Sequence, residues 1–107
     1  MSSYAVGILK DVQMGAPIVE YLEQIDATLA PFGGRYAVHG GDPELLEGES
    51  QGDLIMIEFD NRAVAREWYE SAAYQAIVPL RAENSRGTIM FVDGVDPDHR
   101  ATDILAA

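Results

Sequence analysis

The sequence predicts an α+β fold in which the elements follow the order strand, helix, strand, strand, helix, strand. Four short apolar runs are rich in β-branched and aromatic residues, which is typical of strands. Two other segments repeat apolar residues at steps of three and four, which is typical of amphipathic helices. The chain has 107 residues and no cysteine. A disulfide framework, a thiolate metal site and a cysteine nucleophile are therefore excluded.

Four strands are predicted, and glycine or charged residues bound most of them. They cover residues 3–11, 35–39, 53–59 and 87–93. The third run is the strongest, because apolar residues fill nearly all of it. The acidic, turn-rich segment that precedes it predicts a solvated loop.

The first helix is predicted to begin at Pro17, whose fixed backbone angle suits the first helical position. Two glycines at positions 33 and 34 end it, since glycine readily adopts left-handed backbone angles. Its apolar stripe should be buried against the sheet. The stripe consists of Ile18, Tyr21, Leu22, Ile25 and Leu29.

The second helix is predicted to be capped by Asp60 or Asn61 and to bury Trp68. The helical pattern continues over residues 71–85. Pro79 lies inside that stretch, and proline disturbs a helix interior. A break or a new helix start near Pro79 is therefore expected.

This element order is ferredoxin-like, a four-stranded antiparallel sheet with the helices on one face. Residues 1–94 are expected to form this one domain. Residues 95–107 show no convincing period and are expected to be a C-terminal tail or a short helical arm.

Both faces of the predicted sheet are apolar. In the third strand, Leu54 and Met56 point one way while Ile55, Ile57 and Phe59 point the other. The helices cover one face only, and the other would expose several hundred Å² of apolar surface. A second copy, packed sheet against sheet, is the predicted cover and would form a homodimeric α+β barrel. In the alternative, the C-terminal arm folds back over the sheet.

Charge and motif content limit the possible partners. The chain carries 7 lysines and arginines against 18 aspartates and glutamates, a net charge of −11. Such a surface repels nucleic-acid phosphates and anionic headgroups, so neither nucleic acid nor a membrane is an expected partner. No targeting leader and no apolar span of about 20 residues is visible, which predicts a soluble cytoplasmic protein. No phosphate-binding glycine motif or calcium-loop spacing occurs, so no cofactor and no metal site are expected.

Several short motifs occur in order from about residue 4 to residue 94. The most specific is the stretch from Trp68 to Gln75, followed by Leu80-Arg81. The others are Gly33-Gly34-Arg35-Tyr36, Gly40-Gly41, Leu46-Glu47-Gly48, Glu58-Phe59 and Val92-Asp93-Gly94. Together they resemble the domain of unknown function 1330 family, small proteins of the dimeric α+β-barrel superfamily. The resemblance implies the ferredoxin-like fold and the sheet-to-sheet dimer, but no activity.

The resemblance also indicates where a ligand would bind. The wider superfamily includes cofactor-free monooxygenases, a muconolactone isomerase and haem-binding enzymes, which use a pocket between sheet and helices. This implies a similar pocket here, although fold analogy alone does not assign a function. One departure concerns His39, which stands where an arginine is more often expected.

Seven residues are candidates for that pocket. His39 is the candidate catalytic base, because histidine ordinarily titrates near neutral pH; the alternative is a structural hydrogen bond. Arg35 and Arg81 are candidates to bind a substrate carboxylate, and the alternative for each is an internal salt bridge. The remaining candidates surround the predicted bend between the helices and could contact the substrate. They are Tyr69, Ser71, Tyr74 and Gln75.

Two functions of different classes are consistent with these residues. In the first, a homodimer binds a small, partly apolar, anionic metabolite in each subunit, with cofactor-independent proton transfer or oxygenation as the chemistry. In the second, the chain is a non-catalytic structural or protein-interaction module.

Overall fold

The computed structural model describes residues 1–106 and contains one four-stranded antiparallel sheet. The strands lie in the order β2-β3-β1-β4, and each neighbouring pair is antiparallel. The strands are β1 (Ser3–Lys10), β2 (Arg35–His39), β3 (Asp53–Phe59) and β4 (Arg86–Asp93). The predicted ferredoxin-like sheet is confirmed, and β2 and β3 match their predicted bounds.

Three helices connect the strands: α1 (Ala16–Leu29), α2 (Arg62–Glu70) and α3 (Ala72–Ala82). Pro17 lies in the first turn of α1, as predicted. Gly33 adopts φ 66° just beyond α1, a left-handed conformation that glycine adopts without steric cost. Asn61 caps α2, where its side-chain oxygen accepts a 2.9 Å hydrogen bond from the backbone N–H of Val64.

The predicted break near Pro79 is wrong, because the helical segment divides at Ser71 instead. The Ser71 hydroxyl donates to the carbonyl of Trp68 at 2.7 Å and accepts from the N–H of Tyr74 at 3.2 Å. It therefore ends α2 and begins α3 with one side chain. Pro79 lies inside α3. There it removes only the hydrogen bond to the carbonyl of exposed Gln75, which water can satisfy.

The core lies between the helices and the face of the sheet that they cover. Phe59 is fully buried there, and its ring centroid lies 5.3 Å from that of Trp68. The Trp68 indole N–H donates to the hydroxyl of Thr28 at 3.0 Å, so its one polar atom is satisfied. A Cβ at Gly34 would lie 2.6 Å from Leu29, which explains the glycine at this position. Leu22 was predicted to be buried but is exposed, because it lies at the rim of the cavity described below.

The other sheet face, here called the open face, is also apolar, as predicted. Its central row crosses all four strands, because in register Val38 pairs with Met56, Met56 with Val6, and Val6 with Met90. Met90 is 42% exposed. The remaining apolar side chains of the open face are Tyr4, Ile8, Leu54 and Val92.

The C-terminal arm does not cover the open face. It continues from β4 into a short 3-10 turn, Ala101–Ala106. Its apolar residues Val95, Ile104 and Leu105 are 62%, 74% and 81% exposed. The alternative in which this arm folds back over the sheet is therefore contradicted. Within residues 1–106, no helix is both long enough and apolar enough to cross a membrane.

Candidate functional site

A cavity of about 220 Å³ lies between the covered face of the sheet and the helices. It exists because β1 presents only Ala5 and Gly7 to this part of the interior. A Cβ added at Gly7 would lie 3.2 Å from Cδ1 of Ile89, so a larger residue there would occupy the cavity. Most of the wall is aliphatic and comes from α1, β3 and the loop after β1.

The most unusual residue on the cavity wall is Arg81. It comes from the last turn of α3 and is only 9% exposed. No carboxylate within residues 1–106 forms a salt bridge with it, and its Nε has no hydrogen-bond partner there. Burial opposes the charge of Arg81, but Tyr74 and Tyr21 favour it and its pKa is raised overall. A buried guanidinium N–H without a partner is costly, which indicates that a ligand or water accepts from it.

Two tyrosines lie on the same wall. The hydroxyls of Tyr21 on α1 and Tyr74 on α3 are 2.8 Å apart. One hydroxyl donates its proton to the other, so one O–H of the pair remains free to donate elsewhere. Burial raises the pKa of Tyr21 well above its ordinary value, which keeps its phenol neutral.

His39 and Tyr36 reach the cavity from the edge strand β2. A register shift between Tyr36 and Val38 interrupts the alternation of β2. Because of this bulge, Tyr36 and His39 point to the same face, and their rings stack 4.7 Å apart. His39 is solvent-exposed and therefore lies at the mouth of the cavity, whereas Arg81 lies at its buried end. Burial, with the nearby Asp26 charge and then Tyr74, raises the pKa of Tyr36 to about 12.

Arg35 lies on the other side of the sheet. It pairs across the open face with Glu58 at 3.4 Å and with Asp60 at 3.3 Å. This is the internal salt bridge considered as its alternative role. Both pairs are partly exposed and contribute little to stability.

Three further candidates form the corner between α2 and α3 and do not line the cavity. The hydroxyl of Ser71 is used in capping both helices. The Gln75 amide donates to the carbonyl of Tyr69 at 2.6 Å, and the Tyr69 ring contacts Phe91 edge to face. Of the seven predicted residues, the structure brings His39, Tyr74 and Arg81 to one cavity.

Sequence reasoning missed Tyr21 and Tyr36 as site residues. Tyr21 was assigned to the apolar stripe of α1, and Tyr36 was treated only as a strand residue. A phenol at a buried stripe position was the available signal, because its hydroxyl requires a partner. Among residues 1–106, no cluster of three or more histidine or carboxylate side chains is arranged to hold a metal.

The two raised pKa values predict lower stability in alkali. Unfolded tyrosines ionise near pH 10, whereas the folded chain holds Tyr21 and Tyr36 protonated beyond that pH. Their contribution to stability is therefore complete below pH 10 and is lost as the pH rises toward 12. For the more buried Tyr21, the free energy of unfolding should fall by up to about 1.4 kcal/mol per pH unit.

Urea unfolding measured at pH 8, 10 and 11 checks this expectation. Tyr21→Phe is the control, because phenylalanine does not titrate and the decline should become shallower. A free energy of unfolding that stays constant from pH 8 to 11 would show that neither phenol is protected.

The chain was compared with known protein families and curated proteins. The family model described as Domain of unknown function (DUF1330) matches residues 2–95. None of the curated proteins matches the chain.

Solved structures with the same fold also have no known function. The RPA0582 protein of Rhodopseudomonas palustris is 15% identical, with a TM-score of 0.63 over 90% of this chain and 84% of that one. The methylated RPA0582 protein is 13% identical, with a TM-score of 0.67 over 92% and 84%. A dimeric ferredoxin-like protein from Jannaschia sp. CCS1 is 11% identical, with a TM-score of 0.65 over 88% and 100%. At these identities the likeness shows the fold alone.

Proposed function

The chain belongs to the DUF1330 family, in agreement with its sequence motifs, and we propose that it binds a small, partly apolar anion in the cavity between sheet and helices. The family is described only as a domain of unknown function, so the proposal depends on the geometry of the cavity. A largely aliphatic wall with a few convergent polar groups is typical of small-molecule sites.

The observation that carries the proposal is the unpaired, buried guanidinium of Arg81. An arginine kept for structure alone would be expected to have a carboxylate or carbonyl partner. Arg81 instead lies beside an empty volume, with an N–H free to donate. An anion that entered the cavity would supply both the missing acceptor and the missing charge.

We propose further that the chain acts as a homodimer through its open face. The support is the apolar row Val38, Met56, Val6 and Met90, which the helices and the arm leave uncovered. The similar Jannaschia protein is described as dimeric. Sheet-to-sheet packing would leave one cavity in each subunit, because the cavity lies on the opposite face.

Chemistry at this site would involve His39 at the mouth. An anion held at Arg81 would extend toward His39, which could remove a proton from an acidic carbon or a phenol. Such a reaction, or a cofactor-independent oxygenation that begins with this proton removal, is the catalytic form of the proposal. The second candidate is a non-catalytic interaction module, which is favoured by the exposed apolar open face.

A thermal-shift screen against aromatic acids and lactones tests the binding proposal. A ligand at ten times its Kd stabilises the chain by about 1.4 kcal/mol, which corresponds to roughly 5–10 °C in Tm. The Gly7→Val variant should lose the shift, because its side chain enters the cavity. Thr88→Val, at an exposed position of β4, is the matched control and should keep it.

Three results separate the hypotheses. A shift that is lost in Gly7→Val and kept in Thr88→Val supports binding in the cavity. A shift of equal size in all three chains places the ligand elsewhere and contradicts the proposal. No shift with any compound favours the interaction module.

A further inference from the structure

We propose that the buried end of the cavity binds the carboxylate of a single-ring aromatic acid, through the Arg81 guanidinium and the free hydroxyl proton of the Tyr21–Tyr74 pair. These three residues are here called the anion subsite. The inference rests on the proposed function and names the class of its ligand. It rests on the hydrogen-bonding capacity, the charge and the size of the cavity.

The anion subsite offers donors and no negatively charged acceptor. Nε of Arg81 has no partner, and the tyrosine pair has one unused O–H. Tyr74 and Arg81 are seven residues apart in α3, so they lie on the same helix face, and Tyr21 faces them from α1. The Arg81 guanidinium carbon lies 5.9 Å from the centre of the Tyr21 ring. A carboxylate, which only accepts hydrogen bonds, is the complementary group.

The charge around the subsite points to the same class of ligand. The one carboxylate on the cavity wall is Asp53, an exposed residue at the start of β3 that forms no salt bridge with Arg81. Arg81 therefore has a positive charge without a counter-ion. An ammonium would be repelled, and a neutral amide would leave the charge uncompensated.

The volume restricts the ligand to about one ring. An apolar cavity of about 150 Å³ in a protein can hold benzene. The cavity here, at about 220 Å³, leaves room for a ring and a short acidic substituent. Aromatic side chains on the wall favour a flat ligand, since the Trp68 and Tyr74 ring centroids are 4.0 Å apart and Tyr36 stacks on His39.

Calorimetric titration with benzoate tests the subsite on the full chain. Benzamide and acetate are the matched probes, because the first lacks the charge and the second lacks the ring. Benzoate should bind the wild-type chain at least about tenfold more tightly than either probe. Arg81→Met keeps the aliphatic part of the side chain and removes the charge, and it should weaken benzoate binding about 10- to 100-fold.

Two other variants assign the remaining roles. Tyr74→Phe breaks the hydroxyl pair and should weaken benzoate binding about 5- to 10-fold. His39→Ala changes the mouth only and should leave benzoate binding within about twofold. Arg81→Met removes a buried unpaired charge, so its Tm should not fall below that of wild type. Loss of binding therefore cannot be attributed to unfolding.

The outcomes distinguish the subsite from the broader proposal. If Gly7→Val blocks benzoate binding but Arg81→Met binds it like wild type, the cavity binds ligands and the anion subsite is wrong. Equal affinity for benzoate and benzamide, or loss of binding in His39→Ala alone, also overturns the subsite. If another acid gives a cavity-dependent shift while benzoate does not bind at all, the single-ring class is wrong.

Discussion

The Met56→Asp variant is expected to be a folded monomer, whereas the wild-type chain forms a dimer. Met56 lies in the central row of the open face, between Val38 and Val6. In a sheet-to-sheet dimer this substitution would bury an unpaired carboxylate in each subunit, at a cost of several kcal/mol. Because every 1.4 kcal/mol is a tenfold change, the dimer Kd should rise at least about 100-fold.

Light scattering coupled to size-exclusion chromatography measures this change, and circular dichroism monitors the fold. Met56→Leu is the control and should remain dimeric, since it preserves the apolar surface. The next residue, Ile57, faces the helices and is buried, so Ile57→Asp should unfold the chain instead. A wild-type chain that is a well-folded monomer at micromolar concentration would contradict the proposed dimer.

The Trp68→Ala variant is expected to lose about 3–5 kcal/mol of its free energy of unfolding. Trp68 is almost fully buried, and its ring centroid lies 4.0 Å from that of Tyr74 and 5.3 Å from that of Phe59. Alanine would leave a cavity between α2 and the sheet and an unpaired hydroxyl on Thr28. A loss of this size is a large fraction of the stability of a chain of this length.

Urea unfolding followed by far-ultraviolet circular dichroism measures that loss. Trp68→Phe keeps a ring in the core but removes the N–H donor, so its loss should be smaller, about 1–2 kcal/mol. Equal losses in the two variants would show that the hydrogen bond to Thr28, and not the packing of the ring, dominates.

Local sequence signals were sufficient to predict most of the fold. The apolar runs predicted β2 and β3 to the residue, and Asn61 and Gly33 act as the helix signals indicated. Each of these features depends on residues close in the sequence, where propensity and capping chemistry operate. Alternating apolar residues also predicted that both sheet faces would be apolar.

The misplaced helix break has a physical explanation. Proline is a strong local signal, but near the end of α3 it removes only one solvent-accessible hydrogen bond. Ser71 divides the helix through three-residue side-chain bonds in both directions. A serine occurs in many helices without such a role, so its type alone did not distinguish it.

The candidate site was only partly predictable, because it depends on contacts between distant residues. His39, Tyr74 and Arg81 were selected as scarce polar groups, and the structure places them on one cavity. The bulge in β2 reverses the expected facing of Tyr36 relative to His39, and no glycine or proline marks it. The Tyr21–Tyr74 pair joins residues 53 positions apart, which no local pattern indicates.

The central claim is that an anion binds at Arg81 in the cavity, and the Arg81 Nε–H signal in nuclear magnetic resonance tests it most directly. The signal can be assigned with Arg81→Lys, which lacks this group. Titration with benzoate should shift it in proportion to occupancy and slow its exchange with water, because the N–H gains an acceptor. An unchanged Arg81 signal at saturating benzoate, in a chain whose calorimetric titration shows binding, would contradict the claim.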